Sequence, residues 1–231
     1  MPLPDFSVLL RDDAPQMLLH GIVLMLELTV LAWGLAMALG TLLALVRMGR
    51  SRWAQAAVAG WVEYHQNVPM LVQIFLWYFG ISTLLPKPLE MWLNQHGGEF
   101  AFATISVGLA TSAYMSEALR GGIRAIPPSQ VEAARALGLT TLQSFRHVIF
   151  PQAFRISLPA LINHTVLLFK NTSLGMTIGV AELMYATREI ESRTFKTVET
   201  YLFATVVYLA ISLLIMAVGS LAERRLRMAG R

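Results

Sequence analysis

The chain contains no cysteine, which excludes both a disulfide framework and a thiolate metal site. Charge is also scarce: charged residues make up 14% of the 231, against roughly 25% in an average soluble domain, while 55% are apolar. Lysine occurs only at Lys87, Lys170 and Lys196, and none of them closes a Gly-x-x-x-x-Gly-Lys-Ser/Thr sequence. A phosphate-binding loop is therefore absent, and any ATP chemistry must come from a partner chain. Neither a His-Glu-x-x-His zinc helix nor a Gly-x-Ser-x-Gly nucleophile elbow occurs, so catalysis is not expected. No internal repeat is visible, whereas secondary transporters often show paired halves. The first 19 residues carry Asp5, Asp12 and Asp13 without a basic start, which does not match a cleaved leader.

Long apolar runs fill the chain instead, each approaching the ~20 residues that cross a bilayer. Five spans are expected, at about 20–46, 58–85, 100–119, 156–180 and 201–221, in one all-α integral membrane domain covering 1–231. The second stops at Pro86-Lys87-Pro88, and polar residues interrupt the fourth. Of the basic residues, Arg47, Arg50 and Arg52 follow span one, five Arg occupy 120–155, and Arg224, Arg225, Arg227 and Arg231 follow span five. The other side holds Arg11, Lys87, Arg188, Arg193 and Lys196. Such an excess predicts an outer (periplasmic) N-terminus and a cytoplasmic C-terminus. Membrane orientation accounts for the net charge of +4 better than a nucleic-acid partner does.

Between spans three and four lies a structured loop, about 120–155. Pro127-Pro128 cannot sit inside a helix, and Ser129-Gln130-Val131-Glu132 has capping-box spacing, so a helix is expected from about Gln130. Ala133, Ala134 and Ala136 are strong helix formers, and Val131, Ala134 and Leu137 are expected on one side. Gly138 is placed to end the helix in a left-handed conformation. Thr140-Thr141-Leu142-Gln143 repeats the capping pattern, and Pro151 is expected to close the second short helix. A solvated connection has no need of two sharply bounded helices; a docking element does.

The segment resembles the EAA loop of ATP-binding-cassette importer permeases, in Glu132-Ala133-Ala134, Gly138 six residues on, and Pro151 thirteen after that. Val148 and Phe150 replace the family's usual Ile and Leu. Further stretches resemble the polar-amino-acid branch: Asn67 to Gln73 with Trp77-Tyr78-Phe79, Ser116-Glu117 to Ile123, and Lys170 to Leu174 with Ile178-Gly179. The resemblance covers about 18–225. It implies an importer permease paired with a second, identical or related, permease subunit. It also implies ATPase subunits that carry ATP and Mg and grip the loop, and an external binding protein that delivers the amino acid. No cofactor is expected on this chain. An ATP-independent secondary amino-acid transporter is the alternative.

Ionisable residues inside spans are costly and mark candidate functional positions. Lys170 stands roughly 22 Å along span four from Arg155, past the middle of the ~30 Å core. Asn171, Thr172 and Ser173 follow, then Gly175 and Gly179, a composition that loosens a helix. These four polar residues either line a substrate pathway or, through Lys170, form a structural ion pair. Glu27 faces the pathway, pairs with Lys170 or sits at the interface. Gln73 lines the pathway or bonds between helices. Asn163 and His164 are read as interhelical hydrogen bonders, and Glu117–Arg120 as an ion pair at the inner end of span three. The segment 182–199 reads as a solvated face, in this family where a binding protein docks.

Overall fold

The computed structural model describes residues 4–226, and among these every regular element is helical. Arg227 and Arg231, two of the basic residues counted behind span five, lie outside the described residues. A 3₁₀ turn, Phe6–Leu10, precedes α1 (Ala14–Met48), whose 35 residues reach about 52 Å. Pro15 stands in the first turn of α1, where its missing N–H costs nothing, and Gly49 leaves the last turn extended. The buried side of α1 is Met25, Leu28, Ala32, Ala36, Gly40 and Ala44, spaced by three or four residues as one helix face requires.

That face lies on α5 (Gly98–Arg124), the central helix, which also touches α2, α3 and α8. Small residues set the distance. A Cβ on Gly108 would lie 3.1 Å from the Ala32 carbonyl oxygen, and one on Gly40 would lie 3.0 Å from that of Ser112. Close backbone approach of this kind is how helices gain packing energy in lipid.

The stretch expected as one span over 58–85 is two pieces at 110°. Helix α2 (Arg52–Asn67) ends at Val68-Pro69, and α3 (Met70–Phe75) leads through a π turn (76–80) and a 3₁₀ turn (81–84). Pro69 lacks an N–H and pushes Val68 into an extended conformation, so the hydrogen-bond ladder stops there. The apolar run ends at Leu84; Pro88 then starts α4 (Lys87–Gln95) within its first turn.

Helix α6 (Pro128–Ala136) and α7 (Thr141–Ser144) form the loop. A π turn over 145–149 joins α7 to α8 (Phe150–Asn171), and a 3₁₀ segment, Thr172–Ile178, follows. Next come α9 (Leu183–Thr194), packed on α1 and α10, and α10 (Thr197–Leu226), packed on α8 and α9. Helices α1 and α10 are each long and apolar enough to cross a membrane, and the bent pair makes a third such segment if taken as one.

Candidate functional site

The loop is built as two short helices, with three departures from its expected form. Helix α6 begins at Pro128 with Pro127 as its N-cap, and no side chain caps it. Ser129 is thereby already inside the helix, behind the orphan amides that its hydroxyl was expected to meet, so no capping box with Glu132 forms. Pro128 substitutes for it by supplying the helical φ and having no N–H to satisfy.

The end of α6 matches expectation. Gly138 has φ +78°, its N–H donates to the Arg135 carbonyl at 2.9 Å, and the Leu139 N–H donates to that of Ala134 at 3.1 Å. Those two bonds are a Schellman cap. The second capping box is present: Gln143 N donates to Thr140 Oγ1 at 3.3 Å and Thr140 N donates to Gln143 Oε1 at 2.9 Å.

Pro151 does not close a helix; it opens α8. The chain runs without a break from Thr141 to Asn171, and the Phe150 N–H reaches back five residues to the Phe145 carbonyl. Such a π turn widens the backbone just before Pro151, where a regular α-helix would set the proline ring against the carbonyl four residues earlier.

Glu132, Ala133 and Gly138 are exposed, whereas Ala134 is buried against the rest of the chain. Val131, Ala134 and Leu137 therefore do not share one environment. Leu137 is 81% exposed and Leu142 75%, so two large apolar side chains stand outside the loop without cover. Behind the loop, Glu117 binds both Arg120, whose Nε lies 2.9 and 3.0 Å from the two carboxylate oxygens, and Arg47 of α1. The expected Glu117–Arg120 pair is thus a three-residue cluster that ties α1 to α5.

At the other end of α8, the four predicted polar residues separate. Lys170 is exposed and has no ion pair among the described residues; Asn171 and Ser173 are half-buried, and Thr172 is fully buried. The Thr172 hydroxyl donates to the Phe169 carbonyl at 2.7 Å, and that of Ser173 to the Lys170 carbonyl at 2.8 Å. Each hydroxyl, at the start of the 3₁₀ segment, answers a carbonyl in the last turn of α8. Trp33 Nε1 donates to Thr165 Oγ1 at 3.0 Å, which brings α1 and α8 to a common level. Glu27 lies on the exposed side of α1 beside Leu26, Val30 and Leu31, and does not bond Lys170.

Gln73 is buried and takes no part in this group. Its Nε2 donates to the carbonyls of Val68 at 2.8 Å and His65 at 3.1 Å, and its Oε1 meets His65 Nδ1 at 2.5 Å. The amide braces the bend at Pro69 by meeting carbonyls that the interrupted ladder leaves free. His164 makes a ring contact with Tyr114, centroids 5.4 Å apart, in place of the expected interhelical hydrogen bond.

Glu182 is the residue that sequence reasoning missed. Far from lying on a solvated face, it is fully buried, accepting from Met184 N at 2.9 Å, Tyr185 N at 3.1 Å and the Tyr208 hydroxyl at 2.7 Å. It caps α9 and ties it to α10. Its partner Tyr208 is 26 residues away, so no local pattern marks it. Nearby on the surface is an open cleft of about 440 Å³, lined by Asp5, Arg11, Asp13, Arg193 and Lys196 among others. Hydrogen bonds from Ser7 hold the Asp5 carboxyl below its ordinary range, against an opposing effect of burial and with lesser help from the Arg11 and Lys196 charges.

Residues 36–228 match the family described as binding-protein-dependent transport system inner membrane component. The glutamate/aspartate import permease protein GltJ of Escherichia coli K12 is 31% identical over 214 residues, covering 91% of this chain and 87% of its own. The nopaline transport system permease protein NocM of Agrobacterium fabrum is 36% identical over 78% of this chain and 75% of its own. A solved amino acid ABC transporter with histidines matches 97% of this chain and 100% of its own, at a TM-score of 0.83 and 30% identity. The inward-facing MetNI methionine transporter shares the fold at 17% identity and a TM-score of 0.73. By this match over most of its length, the chain belongs to the binding-protein-dependent transport system inner membrane components.

Proposed function

We propose that the chain is the permease subunit of an ATP-binding-cassette importer that moves polar amino acids across the bacterial inner membrane. The observation that carries this reading is the loop: two rigidly capped helices that present Glu132, Ala133, Leu137 and Leu142 with nothing over them. Membership of the family and the names of the relatives support glutamate or aspartate and a basic amino acid as the solute class; glutamine belongs to the same proposal without a relative named for it.

In this reading five spans cross the membrane with the N-terminus outside, and α2 with the segment up to Leu84 counts as one of them. A second permease subunit completes the pathway, and ATPase subunits holding ATP and Mg grip Glu132, Ala133 and Gly138 on α6 and its cap, with Ala134 packed behind them. Closure of the ATPase pair on ATP biases the spans between inward- and outward-open arrangements. Because α7 runs into α8 through Pro151, the bias reaches Lys170, Asn171, Thr172 and Ser173 along one helix. Lys170 faces the pathway there, and Glu27 stands on the outer side of α1. An external binding protein delivers the amino acid at the cleft between Asp5 and Lys196.

The test is co-purification of a tagged chain from its native membrane, followed by ATPase assays in lipid with binding protein across an amino-acid panel. An associated ATPase stimulated by one loaded binding protein is expected. If no ATPase accompanies the chain and Glu132→Ala leaves uptake unchanged, the reading is wrong.

A further inference from the structure

Helix α2 carries a surface that neither the loop nor the polar segment uses. Its entry is fixed: Gln55 Nε2 donates to the Gly49 carbonyl at 2.6 Å, and Ser51 Oγ accepts from Ala54 N at 3.4 Å. Val58 and Val62 pack on Ala113 of α5 and on Leu43 and Val46 of α1. On the opposite side, at helical spacing, Trp53, Ala57, Gly60 and Tyr64 are all exposed, Trp53 at 88%. A Cβ built on Gly60 meets nothing within 4 Å, so none of the described residues covers that position.

Arg50 and Arg52 stand just before the tryptophan, where the chain enters α2. Both are exposed and neither has an ion pair among the described residues, whereas Arg47 nearby is held by Glu117. The one carboxylate on α2, Glu63, lies at its far end and accepts from Asn67 Nδ2 at 3.1 Å. With the 110° bend at its C-terminal end, α2 lies across the direction of the segment that follows it.

We propose that the entry of α2, Arg50 and Arg52 just before Trp53 with the Ala57–Gly60–Tyr64 side of the helix, holds the headgroup of an anionic phospholipid. Tryptophan and tyrosine settle where headgroups meet acyl chains, their rings in the apolar boundary and their polar atoms in water. The small apolar positions between them let this side of α2 sit close against that boundary. Two unpaired guanidiniums beside the tryptophan supply bidentate donors for a phosphate and complement the charge of an anionic leaflet. The site does not depend on which solute the protein carries.

The test counts lipid adducts by native mass spectrometry on the purified chain in neutral detergent, equilibrated with equal amounts of phosphatidylglycerol and phosphatidylcholine. Preference for phosphatidylglycerol is expected. It should weaken roughly fivefold for each of Arg50→Gln and Arg52→Gln, about 30-fold for both. Trp53→Ala should reduce binding of both lipids, and added salt should erode the preference in the wild type. Inorganic phosphate should not displace the lipid. Equal binding of the two lipids by the wild type, or a double variant that keeps the preference, overturns the proposal. Displacement by phosphate would assign the site to a free anion, and a change in oligomer mass without a change in lipid would make this side of α2 a protein interface. Either also overturns it.

Discussion

Gln73 and Lys170 are both polar residues in apolar surroundings, yet their neighbours give them opposite tasks. Gln73 spends its whole amide on His65 and Val68, which leaves nothing for a solute. Gln73→Leu is expected to leave a buried His65 N–H and two carbonyls unmet, lowering stability by about 1–3 kcal/mol. Thermal unfolding in detergent reads this, with the exposed Lys87→Gln as a control that stays put. Lys170 is exposed and has no ion pair among the described residues. Lys170→Met should therefore abolish uptake while the chain still assembles with its partners, and normal uptake by that variant would take Lys170 out of the pathway. Asp5 adds a pH dependence at the outer end. Its folded-state pKa is depressed, so its contribution is present above the ordinary carboxylate range, near pH ~4, and is lost as pH falls through the folded value. Amide exchange across residues 5–11 should quicken on acidification below that range, and Asp5→Asn should remove the dependence.

Among elements, α6 depends on its C-terminal cap more than on its start. Gly138 has open space around its Cβ position, so substitution acts through the backbone alone. Gly138→Ala should cost about 1–2 kcal/mol of loop stability from the left-handed conformation. Measured as coupling, it should reduce solute-stimulated ATP hydrolysis more than basal hydrolysis. The Schellman cap and the Thr140–Gln143 box were legible because both are written within a few consecutive residues. The start of α6 was read one motif too late, since Pro127-Pro128 competed with Ser129 for the same role. The π turn left no mark at all: Phe145 to Ile149 reads as ordinary helix, and only the position of Pro151 hints at a wider turn.

For the whole molecule, the long apolar runs were legible as helices α1 and α10 because burial on one side and lipid on the other need only composition and a 3.6-residue period. The bend at Pro69 was hidden by the apolar residues on either side of it, and the burial of Glu182 depended on a tyrosine from a later helix. Topology can be settled directly because the chain has no cysteine. Arg11→Cys should react with a membrane-impermeant thiol reagent from outside intact cells, and Arg224→Cys only after lysis; the reverse pattern would invert the orientation. The unbroken run from Thr141 to Asn171 has one more consequence, for exchanging parts between relatives. A π turn holds one residue more than the α turn it replaces, and each residue turns a helix by about 100°. A chimera that lost a single residue from 145–149 would close the π turn into an α turn and keep the docking residues in phase with the span they serve, whereas one that lost a residue from the regular helix between 152 and 170 would turn them by about 100°.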